Sequence, residues 1–335
     1  MTTQPRRSVP LLAVDGLKVD IALERGVVHA VRGVSFKVSA GEIVGLLGES
    51  GCGKSITAMS IPGLTREIPG ARLRGHIFFR LSKLGANTEL DVVNARMSEL
   101  RRIRGNEIGM IFQDPMSSLN PVLSIGSQVM EPLMLHREMS KREARLESIN
   151  LLKTVGIPDP VQRFTSFPHQ LSGGMRQRVM IAIALSCQPS LLLADEPTTA
   201  LDVTIQAQIL SLLVKLNQEF GTSIVLITHD MSIVAGTCSR ILVMYAGRII
   251  EETTDKKFFS APRHPYSRAL LESLPRVDAR RRLTAVPGQP PDLLTPPKGC
   301  AYAERCDRAT EKCLEIDPEL EAFYGGRVAC HHPLE

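Results

Sequence analysis

GESGCGKS, residues 48–55, fits the pattern G-x-x-x-x-G-K-[ST]. It follows the apolar run EIVGLL at 42–47, which reads as a strand, and opens KSITAMSI at 54–61, which reads as a helix. A glycine-rich turn in an unrelated α/β protein carries the same letters, so the flanking strand and helix are what make the pattern informative. Glycines at 48, 51 and 53 let the backbone curl until successive N–H groups face one point, an arrangement suited to a polyphosphate. Lys54 would then reach the terminal phosphates, Ser55 would hold Mg²⁺, and the helix start would add its partial positive charge. The candidate binding segment is Gly48, Glu49, Ser50, Gly51, Cys52, Gly53, Lys54, Ser55 and Ile56.

Outward from this loop, LLLADEP at 191–197 is an apolar run ending in two carboxylates. Asp195 at the strand end suits hydrated Mg²⁺, and Glu196 beside it can accept a proton from an attacking water. Further elements fall in a fixed order. IFQDPMSSLNP contains Gln113, LSGGMRQR spans 171–178, TTALD ends at Asp202, and ITHD contains His229. The series resembles the ATP-binding cassette of ABC transporters, with its Walker A, Q-loop, signature, Walker B, D-loop and H-loop, over about residues 11–255.

The resemblance implies roles residue by residue. Ser172, Gly173 and Gly174 open a helix and form a second anion-binding nest, which in the family closes on the γ-phosphate held by another subunit. The implied active unit is a dimer of cassettes, with Asp202 in its D-loop. Gln113 matches the family's sensor of the transmembrane partner and would contact Mg²⁺ and the attacking water. His229 would hydrogen-bond the γ-phosphate and Glu196, stabilising the charge that develops there. The implied catalytic set is Glu196, His229 and Gln113, and the magnesium set is Ser55, Gln113 and Asp195. Met175 stands where the commonest signature carries Gln, a variant associated with the peptide-importer branch. Ile21 falls where an aromatic often stacks on adenine, so stacking is not carried over to this chain and apolar contact is left open.

Strands are expected at LLAVDGLKV, AVRGVSFKV, EIVGLLG, SLLLAD and SIVLIT, with RILVMYAGRIIEE a hairpin turning at Ala246-Gly247. In REARLESINLLKTVG, Leu146, Ile149, Leu152 and Val155 predict one helix face, stopped at Gly156 with Pro158 beyond. In TIQAQILSLLVKLNQEFG, Ile205, Ile209, Leu212, Leu213 and Leu216 predict another, ending before Gly221. Apolar strands alternating with helices imply an α/β fold with a mostly parallel sheet covered on both faces. The resemblance makes it a P-loop NTPase core with antiparallel N-terminal strands. The stretch at about 115–178 has helical patterns without a convincing strand and reads as a helical insertion. The expected boundaries are a cassette at 1–258 and an extension at 259–335, the latter a short helix, a proline-rich linker and a small cysteine-rich module.

Four of the seven cysteines crowd into that extension as C-x5-C-x6-C-x16-C: Cys300, Cys306, Cys313 and Cys330. Zinc ribbons pair cysteines more closely, and so do common ferredoxins, so the spacing supports one site of four thiolates without naming the metal. The other reading is four unpaired thiols on a tail with no core to hide them. A metal would also supply folding energy to a module with few apolar residues. HPYSRALLESLP followed by the linker prolines and the cysteine tail is similar to the C-terminal extension of dipeptide and oligopeptide importer ATPases. Some members of that branch carry a [4Fe–4S] cluster on these cysteines, which is the expectation here. Zinc is the alternative, His331 a substitute ligand, and a structural clip or a redox sensor the two candidate roles.

The 335 residues carry a net charge of +5, 43% hydrophobic and 22% charged, an ordinary soluble composition that argues against extensive disorder. Basic runs at Arg101, Arg102, Arg104 and Arg280–Arg282 lack interleaved aromatics and read as solvated faces rather than a nucleic-acid surface. No apolar stretch spans a bilayer and the start MTTQPRRSVPLLAVDG does not resemble a signal peptide. The resemblance therefore implies a peripheral subunit on the cytoplasmic face of the membrane. Its partners would be a second cassette, two transmembrane permease subunits and an extracytoplasmic solute-binding protein. Di- or oligopeptides are the expected solutes, with nickel or glutathione-like solutes as alternatives. The competing class, a soluble ABC ATPase of DNA repair or translation, usually has paired cassettes, coiled-coil insertions or nucleic-acid modules that this sequence lacks.

Overall fold

The computed structural model describes residues 9–83, 88–199, 201–273 and 286–335. Residues 1–8 of the N-terminal stretch, Ala200 of TTALD and the run Arg280–Arg282 lie outside the described residues. The chain divides into two compact units. The first takes the chain up to Leu12, Lys37–Glu42 and Phe78–Val225; the second takes Ala13–Phe36, Ile43–Ile77 and Leu226–Glu335.

In the first unit, Ile108–Ile111 and Leu191–Asp195 pair as parallel strands, with Ile108 opposite Leu191. Leu191–Asp195 is buried along its whole length, which is why it reads as a continuous apolar run. Gly109 permits a close approach: a Cβ there would stand 2.4 Å from the backbone oxygen of Ala184, in the helix Gly173–Leu185. The insertion is helical as expected, with helices Ile125–His136, Lys141–Thr154 and Pro160–Arg163. Ser140 starts the second by a reciprocal cap: Glu143 N–H donates to its Oγ at 3.3 Å and its own N–H donates to Glu143 Oε2 at 2.9 Å. Gly126 lies flush against the Phe164 ring, where a Cβ would come within 2.4 Å.

One predicted face is corrected in part. Leu152 and Val155 are buried and Ile149 is half-buried as expected, but Leu146 is 63% exposed, and within the helix the buried stripe is Ala144, Ser148 and Leu152. The apolar letters at three-residue spacing drift around the helix, whereas i, i+4 spacing stays on one side. The helix Val203–Phe220 does bury Ile209, Leu213 and Leu216, and Gly221 closes it with a φ of 66°. Ile205 and Leu212 are half-buried.

The strands Gly26–Val38, Leu12–Leu23 and Ala71–Arg80, whose residues fall mostly in the second unit, lie side by side in that order. Ala71–Arg80 was not expected, because its charged residues alternate with half-buried ones and interrupt any apolar run. Ile43–Leu47 pairs in parallel with Arg240–Tyr245, which turns back antiparallel into Arg248–Thr254. Ala246 and Gly247 take φ of 44° and 79°, the doubly left-handed geometry of a tight hairpin turn. Gly326–Val328 then adds to Arg248–Thr254, with Glu321–Phe323 outside it. The cysteine-rich segment is thus tied into a sheet.

The module also packs on a core that it shares with the preceding chain, so its own composition does not show it. Tyr245, Tyr266 and Tyr302 are all buried, with ring centroids 4.6 to 5.4 Å apart. Asp317 pairs with Arg248 and, at 3.5 Å, with Arg32. Among the described residues, no helix is long and apolar enough to cross a membrane.

Candidate functional site

Ile43–Leu47 delivers the chain to the loop and the helix Lys54–Ser60 receives it. Gly48, Gly51 and Gly53 have φ of 157°, 78° and 103°. A Cβ at Gly48 would stand 2.2 Å from Met244 O, and one at Gly53 would stand 2.3 Å from Ala30 O, so neither position accepts a side chain. Lys54 is buried, its Nζ donating to the oxygens of Gly48 at 2.8 Å and Glu49 at 2.9 Å. Glu49 N–H donates to Tyr266 Oη at 3.0 Å, and its carboxylate accepts from Arg305 Nη1 and Nη2 at 2.7 and 2.9 Å. Burial pushes the Cys52 thiol up. Ser50 is exposed, while Ser55, Ile56 and Ile21 are half-buried. His229 is exposed just beyond the strand Ser223–Thr228.

In the first unit Asp195 is buried at the end of its strand, and Glu196 follows with a φ of 46°. Glu196 Oε2 accepts from Gln113 Nε2 at 2.9 Å and from Thr199 Oγ1 at 2.8 Å. Gln113 and Glu196, 83 residues apart in sequence, are therefore brought into direct contact. Ser172 caps the helix Gly173–Leu185, its Oγ accepting from Met175 N–H at 3.3 Å. Gly173 faces open space, and Gly174 approaches Ile205 closely enough that a Cβ would lie 3.2 Å from it. Asp202 caps the helix that carries Ile205, accepting that residue's N–H at 2.9 Å. Gln177 donates to Pro197 O at 2.6 Å, joining the signature helix to the turn after Glu196.

Cys300, Cys306, Cys313 and Cys330 line one small cavity of about 10 Å³, with His264, His331 and His332 also on its wall. Arg308 N–H donates to Cys306 Sγ and His332 N–H to Cys330 Sγ, each at 3.4 Å. Burial pushes Cys300 and Cys330 up to about 11 and also raises Cys306. His331 Nε2 lies 2.9 Å from Ile316 O. Among the described residues, no group of three or more His, Cys, Asp or Glu side chains is arranged to hold a metal ion.

Sequence reasoning missed Thr199, Tyr266 and Arg305. Thr199 lies inside the quoted TTALD and only its spacing of three from Glu196 hinted at a contact. Arg305 lies 256 residues from Glu49, with no local pattern to link them.

An α/β core with a glycine-curled lysine loop and a strand ending in paired carboxylates defines an ATP-hydrolysing cassette. Residues 31–199 match the ABC transporter family, and residues 250–313 match the oligopeptide/dipeptide transporter C-terminal region. The oligopeptide transport ATP-binding protein OppD of Salmonella typhimurium is 48% identical over 336 residues, covering 100% of this chain and 97% of that protein. The dipeptide transport ATP-binding protein DppD of Bacillus subtilis is 48% identical over 309 residues, covering 92% and 90%. A dimeric ATP-binding cassette, MJ0796, in a post-hydrolysis state bound to ADP and Pi, gives a TM-score of 0.64 at 29% identity, covering 73% of this chain and 98% of that one. The chain belongs to the ABC transporter family, with the oligopeptide and dipeptide transport ATP-binding proteins as its full-length relatives, and it is an ABC-type ATPase subunit.

Proposed function

We propose that this chain hydrolyses ATP to energise uptake of di- or oligopeptides through partner transmembrane permease subunits. The observation that carries the reading is likeness along the whole chain, C-terminal extension included, to proteins named for peptide transport. Gly48 to Ile56 cradle the phosphates, with Lys54 on the terminal ones. Ser55, Gln113 and Asp195 would hold Mg²⁺, which when bound would supply positive charge for the phosphoryl oxygens. The oxygen donors of these side chains suit that hard cation. Glu196, oriented by Gln113 and Thr199, takes the proton of the attacking water. His229 donates to the γ-phosphate, and Ser172, Gly173, Gly174 and Asp202 serve the partner cassette's nucleotide across a heterodimer. The functional division follows the cassette at 1–258 and the extension at 259–335.

The four cysteines would hold a [4Fe–4S] cluster as a structural clip. Four thiols on one cavity and two N–H···S hydrogen bonds support this, because such bonds stabilise thiolate ligands. The chain sits peripherally on the cytoplasmic face of the membrane, and a solute-binding protein outside delivers the peptide.

The test is uptake in cells lacking this chain's gene. Wild type is expected to restore uptake of a labelled tripeptide, while Glu196→Gln does not, because turnover falls by about 10²- to 10⁴-fold without the base. Restored nickel uptake with unchanged peptide uptake would overturn the solute assignment.

A further inference from the structure

The cysteine module reaches into the phosphate-binding loop through one side chain. Arg305 precedes Cys306 and its side chain is only 4% exposed. Both terminal nitrogens bond the Glu49 carboxylate, while Nε donates to Pro287 O at 2.6 Å and Nη1 to Tyr245 Oη at 3.0 Å. The guanidinium carbon lies 5.7 Å from the ring centroids of both Tyr245 and Tyr302. Glu49 is therefore fixed three times, at its N–H by Tyr266, at its carbonyl by Lys54 and at its carboxylate by Arg305.

A carboxylate within a loop whose N–H groups serve a polyphosphate is an electrostatic conflict, since like charges repel more strongly the nearer and less solvated they are. A two-pronged arginine contact resolves it, and deleting Arg305 would leave the Glu49 carboxylate, whose side chain is only 24% exposed, without its counter-charge. We propose that Arg305 is a charge-neutralising and positioning residue for ATP binding, so that an intact cysteine module is a condition for a receptive phosphate loop. The inference rests on the reading of Gly48 to Ile56 as the ATP-binding loop.

The test is the affinity of the purified full-length chain for a fluorescent ATP analogue at fixed salt, with the folded fraction checked by circular dichroism. Arg305→Met is expected to weaken binding about tenfold, the size of a moderate coupling between neighbouring sites. Adding Glu49→Gln, which removes the charge to be neutralised, is expected to bring affinity back to within about threefold of wild type. Rescue is the decisive sign, because a purely structural anchor would not be replaced by a second deletion. If Arg305→Met loses its fold, Arg305→Gln with and without Glu49→Gln reads the same comparison. Unchanged affinity in the Arg305 variant would overturn the proposal, as would a double variant as weak as the single. A wild-type chain that does not bind the analogue would overturn the ATP-loop reading itself, and this inference with it.

Discussion

The phosphate loop and the cysteine module solve the same problem, a precise site, by opposite means. The loop is shaped by backbone: two of its glycines stand against carbonyl oxygens, so its geometry is set by what those positions lack. The module is shaped by side chains drawn from distant parts of the sequence, three tyrosines, an arginine and four thiols. A backbone-built site tolerates little change at a few positions, whereas a side-chain-built one loses stability in proportion to what is removed.

That contrast is broken most forcefully at Gly53. Gly53→Ala drives a methyl group into Ala30 O, displacing the loop, and ATP turnover should fall by about 10²-fold or more while the module stays folded. Phosphate-release kinetics alongside near-ultraviolet circular dichroism of the tyrosines would measure both, and retained turnover would mean the backbone account is wrong. Tyr302→Ala should do the converse. Emptying the space shared with Tyr245 and Tyr266 should cost about 3–5 kcal/mol, felt by the module first. Hydrogen exchange should then rise at residues 300–330 before it rises at 191–195.

The smallest effect sharpens the contrast through pH. His264 is buried and neutral, its Nδ1 accepting Tyr266 N–H at 3.0 Å to start the helix Pro265–Glu272. Burial holds it down to about 3. Its contribution is therefore complete above its ordinary value near 6.5 and is lost as pH falls from there toward 3. His264→Asn keeps a capping oxygen and removes the titration, so its urea midpoint should change less between pH 7.5 and pH 5 than the wild type's does. Parallel curves would place the acid sensitivity elsewhere.

The same contrast explains what could be read in advance. The loop, the carboxylate pair, the signature and the hairpin turn are contiguous letters whose chemistry is local, and the structure puts each on the element expected. Gly221 and Gly247 close their helix and turn where the sequence predicts. The tie between Arg305 and Glu49 could not be read, because nothing local links residues so far apart. The strands Ile108–Ile111, Glu321–Phe323 and Gly326–Val328 are too short for a periodic signal. Leu146 misled because composition suggested a face that the helix does not bury.

The contact between Gly126 and the Phe164 ring carries an evolutionary consequence. Every amino-acid change one base away from a glycine codon adds at least a Cβ, and none has room there while the ring stands. Position 126 is thus held fixed until position 164 has first been replaced by something smaller. The order of mutations in this lineage is constrained, and the two sites should drift together or not at all.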